Sequence, residues 1–220
     1  MLKYKICVLF LFIISLICFD FIDANSNFPL LGKVIYIDPG HGGLDPGAMY
    51  GGIMEKDINL EISKKIETKL LELGAIVYMT RYSDYDLSVN NTINRKRSDL
   101  SRRSNIINKS DCDLFISIHL NAEETNSYRG AQVFYSDKNE KNIKIAKLFQ
   151  DEFRKELNST RKYKKDNSLY LQKRIKVPGV LLEVGFLSNA NERYLLKQKT
   201  YQEKVSTTIV NTIIKYFKTE

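Results

Sequence analysis

Cysteine and histidine are scarce in this sequence, and their scarcity limits the chemistry that the chain can use. Only three cysteines and two histidines occur among 220 residues. Cys7 and Cys18 fall in an apolar N-terminal stretch. If that stretch is removed, Cys112 alone remains, so the folded part cannot form an internal disulfide. Its stability must then come from a hydrophobic core and from any metal that it binds.

Two common kinds of nucleophile are also missing. The sequence has no GxSxG pattern of the kind that presents the serine of an α/β-hydrolase. Cys112 begins the predicted strand that His119 ends, and at ~3.3 Å per residue the two are roughly 20 Å apart. A catalytic cysteine paired with His119 is therefore excluded. Internal repeats and low-complexity linkers are absent from the sequence as well, which favours one domain.

The first residues have the layout of a targeting segment rather than of a folded element. After two lysines, residues 6–19 are apolar except for one serine, a run shorter than the ~20 residues of a spanning helix. Ala24 suits cleavage, but the larger Ile22 two places earlier leaves an uncleaved anchor open. We predict a signal peptide or N-terminal membrane anchor over residues 1–24, and a catalytic domain over residues 25–220 that lies outside the cytoplasm.

The chain is basic, with a formal net charge of +8. A basic protein can bind nucleic acid, but an exported one does not meet it, so we expect no nucleic-acid partner. An anionic cell wall or membrane surface suits an exported basic protein better. We expect contact with the membrane only through an uncleaved N-terminal segment.

Hydrophobic patterning predicts a single α/β domain with a twisted, largely parallel sheet and helices on both faces. Hydrophobic residues make up 43 % and charged residues 27 %, as in globular proteins. Apolar runs alternate with amphipathic stretches, which is typical of parallel sheets. The predicted strands cover residues 34–37, 75–80, 113–118, 131–135 and 180–184, and the predicted helices cover residues 55–73, 100–108, 142–157, 190–197 and 201–217. Residues 81–99 read as a surface loop.

Both histidines follow predicted strands. A lone histidine in such a place is more often an ordinary loop residue than a metal ligand. However, His41, His119 and Glu183 lie at the ends of three strands, and Glu55 begins the helix that returns from the first. Two imidazoles and one carboxylate compose a hydrolytic zinc site, and a further carboxylate could act as the base.

Four motifs in order are similar to those of a known family. They are IDPGHGG (37–43), EKDINL (55–60), SIHLNA (117–122) and LLEVGFLSN (181–189). Together they resemble the zinc-dependent N-acetylmuramoyl-L-alanine amidases of bacterial cell walls, over nearly all of the chain after its N-terminal segment. Within that family, the sequence is most similar to the germination-specific members of spore-forming bacteria.

The resemblance assigns roles that the pattern alone leaves open. It implies His41, Glu55 and His119 as zinc ligands and Glu183 as the catalytic carboxylate. It also implies peptidoglycan as the substrate, cut at the amide between the lactyl group of muramic acid and L-alanine. In the germination-specific members this reaction serves formation of muramic-δ-lactam in the spore cortex.

Three further residues are open to two interpretations. Asn121 and Arg174 are candidate substrate-binding residues, although an ordinary loop asparagine and a solvated arginine are the simpler explanations. Asp38 either orients a metal ligand or forms the turn after the first strand.

Two alternatives to an amidase remain at this point. One is a zinc peptidase that cuts within the stem peptide, and the other is a wall-binding protein without catalysis. The step from the strand at 131–135 to the helix at 142–157 is too short for the inhibitory helix of some division amidases. Control is therefore expected from expression, location or a regulatory protein partner.

Overall fold

Short runs of β-branched residues form the central strands of the protein, seen in a computed structural model that describes residues 28–220. The strands are β1 (Val34–Pro39), β2 (Met49–Tyr50), β3 (Ile53–Met54), β4 (Ile76–Met79), β5 (Leu114–Asn121), β6 (Gln132–Tyr135), β7 (Lys164–Lys165) and β8 (Gly179–Phe186). Six of them form a sheet in the order β4-β1-β5-β8-β6-β7, and β2 pairs with β3 in a separate hairpin. Every neighbouring pair in the sheet is parallel except β6 and β8.

Helices cover both faces of this sheet, as predicted. They are α1 (Glu55–Glu72), α2 (Arg95–Lys109), α3 (Asn142–Glu156), α4 (Ala190–Leu196) and α5 (Lys199–Lys218). The main core joins one face of the sheet to α1, α3 and α5. A smaller cluster on the other face joins Tyr36 of β1 and Phe115 of β5 to Ile107 of α2 and to Leu171. The predicted single α/β domain with a largely parallel sheet is confirmed.

The order of the strands decides where the site lies. β5 sits between β1 and β8, and all three run in the same direction. In the register of β5 and β8, His119 lies directly beside Glu183. Because β1, β5 and β8 are parallel neighbours, their carboxyl ends meet at one edge of the sheet, as the sequence predicted.

Two predicted boundaries differ from the structure by three residues or more. α2 begins at Arg95, five residues before the predicted start, so residues 95–99 are helical rather than part of a loop. The reason is local: the side chain of Asn94 accepts a hydrogen bond from the backbone N–H of Arg97 and caps the helix. β5 continues to Asn121, three residues past the predicted end, because it pairs with β8 along that length.

The predicted segment of residues 1–24 lies outside the described residues. Within residues 28–220, no helix is both long enough and apolar enough to cross a membrane.

Candidate metal centre

The loop between β1 and α1 brings His41 close to the end of β5. His41 has a φ of 62°, a left-handed conformation that few residues other than glycine adopt. A Cβ atom on Gly40 would overlap the imidazole ring of His119, and one on Gly47 would collide with the carboxylate of Glu55. Glycine at these two positions is therefore required by close packing, which is what allows the loop to lie against both side chains.

Glu55, the first residue of α1, lies between the two imidazole rings. Its Oε2 is 3.1 Å from Nε2 of His41, and its Oε1 is 3.0 Å from Nδ1 of His119. The backbone N–H groups of Ala48 and Leu120 also donate hydrogen bonds to this carboxylate, at 2.9 and 3.0 Å. Burial alone would raise the pKa of Glu55, but hydrogen bonds from the two rings outweigh it and hold the pKa far below its usual range. Glu55 is therefore ionised, as a metal ligand must be.

His41 is held from its other side by Asp45. Nδ1 of His41 lies 2.9 Å from Oδ2 of Asp45, so Nε2 faces Glu55. Burial lowers the pKa of His41, but the hydrogen bonds that its ring donates to Asp45 and Glu55 overcome this and raise the pKa to about 9. The metal-free site therefore holds a proton on His41 at neutral pH, and a metal ion has to displace it.

The three side chains meet the requirements of a zinc ion. One ligand atom each from His41, Glu55 and His119 can be chosen so that all lie within 4.8 Å of one another. Two imidazole nitrogens and one carboxylate oxygen, with room for a fourth ligand, form a donor set typical of catalytic zinc. Asp45 supplies the outer carboxylate that commonly orients a metal-binding histidine. The residues present thus fit the ion that the sequence suggested.

Glu183 lies beside this cluster with a very different environment. It is on β8, opposite His119 in the strand register. Its Oε2 atom is buried and has no hydrogen-bond partner among the described residues. Burial, together with the negative charge of Glu55, raises the pKa of Glu183 to about 8, and the charge of His41 offsets this only in part. A carboxyl group with a pKa near neutral can both accept and return a proton.

Two buried arginines hold the loop that carries His41, and no pattern in the sequence indicates them. Arg81 donates hydrogen bonds to the carbonyl oxygens of Pro39 and Gly40, at 3.0 and 2.9 Å. Arg103 donates to the carbonyl oxygens of Pro39 and His41, at 2.9 and 2.7 Å. Both side chains are almost completely buried. The two guanidinium groups thereby fix three successive carbonyl groups of the loop.

Asp38 acts on this loop through Arg103 rather than through a histidine. Its Oδ1 is 2.7 Å from Nη1 of Arg103, and the hydroxyl groups of Thr80 and Ser117 donate to the same carboxylate. Burial would raise the pKa of Asp38, but the charge of Arg103 and these hydrogen bonds keep the pKa below its usual value. Asp38 has no hydrogen bond to either histidine, so its effect on the two imidazole rings is indirect.

The two candidate substrate-binding residues lie in different places. Asn121 ends β5 just past an irregularity in the pairing with β8 that follows His119, and its carbonyl oxygen accepts from the N–H of Leu187 at 2.8 Å. The guanidinium of Arg174 lies 4.3 Å from the ring centre of Tyr170 on the α2 side of the sheet. Within the described residues, Arg174 forms no hydrogen bond or ion pair with the cluster.

Comparisons with known proteins agree with this geometry. Residues 35–215 match a family described as N-acetylmuramoyl-L-alanine amidase. The germination-specific N-acetylmuramoyl-L-alanine amidase of Bacillus subtilis is 46 % identical over 216 residues, covering 94 % of this chain and 91 % of that protein. The N-acetylmuramoyl-L-alanine amidase LytC of the same organism is 32 % identical over 86 % of this chain and 36 % of its own length.

A solved structure has the same fold and a related sequence. The CwlD amidase from Clostridioides difficile, in complex with the GerS lipoprotein, superimposes with a TM-score of 0.81 at 38 % identity. The match covers 86 % of this chain and all of that one. One conclusion follows from the fold, from these matches and from the cluster of His41, Glu55 and His119. The chain belongs to the N-acetylmuramoyl-L-alanine amidase family and is a hydrolase of peptidoglycan.

Proposed function

We propose that this protein binds one zinc ion through His41, Glu55 and His119. With it, the protein hydrolyses the amide between the lactyl group of N-acetylmuramic acid and L-alanine. The observation that supports the proposal is that two glutamates lie close together in very different surroundings. Glu55 is ionised and surrounded by donors, whereas Glu183 has a raised pKa and a buried oxygen without a hydrogen-bond partner in residues 28–220. A hydrolase that relies on a metal and on a separate proton carrier needs both.

Each side chain has a separate role in the proposed reaction. Asp45 fixes the ring of His41, and the N–H groups of Ala48 and Leu120 fix the carboxylate of Glu55. A zinc ion bound there would polarise the substrate carbonyl and lower the pKa of a water molecule. Glu183 takes a proton from the attacking water and delivers it to the nitrogen of the leaving L-alanine.

The family relationship supports a narrower biological role. The relative that is 46 % identical is a germination-specific amidase. We therefore place the reaction in formation of muramic-δ-lactam in the spore cortex, outside the cytoplasm, with residues 1–24 serving as signal peptide or anchor. The structure of the CwlD amidase from Clostridioides difficile was solved in complex with the GerS lipoprotein. A regulatory protein partner is likewise proposed for this chain.

Digestion of purified peptidoglycan tests the proposal directly. Sporulation-stage peptidoglycan is incubated with zinc-loaded protein, and the products are identified by mass spectrometry. Release of whole stem peptides that begin with a free L-alanine is expected. Cuts between amino acids would instead identify a peptidase, and binding without release would identify a non-catalytic wall protein.

Metal content is tested separately from activity. The purified protein, dialysed at neutral pH after addition of zinc, should retain one zinc per chain. Retention of no zinc would contradict the assignment of His41, Glu55 and His119 as ligands.

A further inference from the structure

A groove of about 430 Å³ opens beside the start of α2, and its charged lining is entirely positive. Its cations are Lys96 and Arg97 from the first turn of α2, and Lys173 and Arg174 from the chain that crosses this face of the sheet. Tyr170 forms part of the wall, with the guanidinium of Arg174 4.3 Å and the ammonium of Lys173 5.7 Å from its ring centre. The lining includes no acidic side chain.

Four cations lie close together in this groove, and three of them have no ion-pair partner among the described residues. Within residues 28–220, Arg97, Lys173 and Arg174 form no ion pair, and Lys96 has only a long contact of 3.8 Å to Asp45. Like charges held together without counter-charges repel one another, so a bound anion would stabilise this arrangement.

The groove is linked to the candidate metal centre. Lys96 lines both this groove and the neighbouring pocket, which also contains Leu44 and Asp45. Asp45 in turn holds the ring of His41. Because α2 follows β4 and begins at the carboxyl edge of the sheet, its first turn lies on the same edge as the cluster. A substrate whose scissile amide lies at His41 can therefore extend into the groove.

We propose that this groove binds free carboxylates of the acidic stem peptide, the part of the substrate that leaves with L-alanine. The inference rests on the proposed function and extends it to the recognition of the peptide. Neutral N-acetylated sugars offer such cations no charge to pair with, whereas peptide carboxylates do, and arginine can bind a carboxylate with two hydrogen bonds. Arg97 and Arg174 are the specificity-determining residues, with Lys96 and Lys173 adding positive charge.

Binding of a peptide to the metal-free protein tests this without any turnover. The probe is a fluorescent L-alanyl-D-glutamyl-L-lysine peptide with free carboxylates, compared with the same peptide with its carboxylates amidated. The test variant is Arg97→Gln/Arg174→Gln. The matched control is Lys64→Gln/Lys218→Gln, which removes the same charge from two exposed lysines of α1 and α5, the helices that pack on the opposite face of the sheet.

The wild-type protein should bind the free-carboxylate peptide more tightly than the amidated one, with affinity that weakens as salt rises. The test variant should lose roughly 2- to 30-fold for the free-carboxylate peptide, as expected for two exposed ion pairs. Its affinity for the amidated peptide should not change, and the control variant should keep the preference. Equal losses in both variants, or no preference in the wild type, would overturn the proposal.

Kinetics separate this inference from the proposed function. On peptidoglycan, the test variant should raise KM while kcat stays near that of the control variant. If the zinc-loaded wild type releases no stem peptide, the proposed function fails, whether or not the fluorescent peptide binds to the protein. If release is normal and the test variant matches the control in both KM and peptide affinity, only the groove proposal fails.

Discussion

The two halves of the site each contain a glutamate, and the surroundings of the two carboxyl groups are opposite in character. In the loop half, which comprises residues 38–55, the carboxylate of Glu55 is surrounded by two imidazoles and two backbone N–H groups. In the strand half, which is β8 with Glu183, a buried carboxyl oxygen has no partner in the described protein. The pKa of Glu55 is accordingly far below its usual range, and the pKa of Glu183 is raised to about 8.

The difference shows that the surroundings, not the residue type, decide what a glutamate can do. Donors fix Glu55 as a permanent anion, which suits a metal ligand but prevents proton transfer. Burial without donors leaves Glu183 able to change its protonation state near neutral pH. Variants that affect one half but not the other can therefore test whether the two glutamates have different roles.

The largest effect is expected from replacing Glu183. Glu183→Gln keeps the shape of the side chain but removes its ability to accept a proton. Hydrolysis should slow by roughly two to four orders of magnitude, while one zinc per chain is retained. Glu55→Gln is the matched variant in the loop half, and it should lose zinc as well as activity.

Parallel measurement of zinc content and released stem peptides distinguishes the two glutamates. If Glu183→Gln loses zinc while Glu55→Gln keeps it and stays active, the two roles are reversed. Near-normal turnover in Glu183→Gln would contradict the proposed proton transfer.

The next largest effect concerns the support of the loop half. Arg103→Met leaves the buried carboxylate of Asp38 without its cation, and breaking such a pair typically costs about 3–5 kcal/mol. Denaturant unfolding of the metal-free protein measures this loss. Arg102→Met is the control, because Arg102 is the next residue on α2 but is exposed, and it should change stability little. Similar losses in both variants would show that helix propensity, not the buried pair, accounts for the effect.

A smaller effect is expected from Asp45→Asn. The change removes the negative charge that orients His41, and loss of such an outer partner usually lowers metal affinity by roughly 10- to 100-fold. Competition with a zinc chelator measures the affinity. Asp137→Asn, at an exposed carboxylate after β6, should leave it unchanged. An unchanged affinity in Asp45→Asn would mean that packing alone holds the ring.

A dependence of stability on pH is also expected in the metal-free protein. The pKa of Glu183 is raised from about 4.3 in the unfolded chain to about 8 in the folded one. The folded state therefore holds more protons between these values, and its stability falls as pH rises through that window. Glu183→Gln cannot titrate, so its melting temperature should rise relative to that of the wild type as pH rises. This difference should level off above about pH 8. Parallel melting curves at several pH values check this, and a constant difference would contradict it.

The sequence predicted the cluster well because its members stand at the ends of elements. His41 and His119 follow strongly apolar strands, and Glu55 begins an amphipathic helix, so topology alone brings them to one edge. The supporting residues could not be found in this way. Arg81 and Arg103 contact the loop across 41 to 64 residues of chain, and on a polar helix Arg103 has the appearance of a surface residue. Asp45 had a weak signal, since it follows His41 by four residues in the same loop.

The close approach at Gly40 and Gly47 has a consequence for interpreting the sequences of relatives. Any larger residue at Gly40 would displace the ring of His119, and any larger residue at Gly47 would displace the carboxylate of Glu55. A homologue can therefore keep every catalytic side chain and still have lost the reaction through a change at either glycine. Natural chains with such a change are best sought among wall-binding proteins that evolved from enzymes.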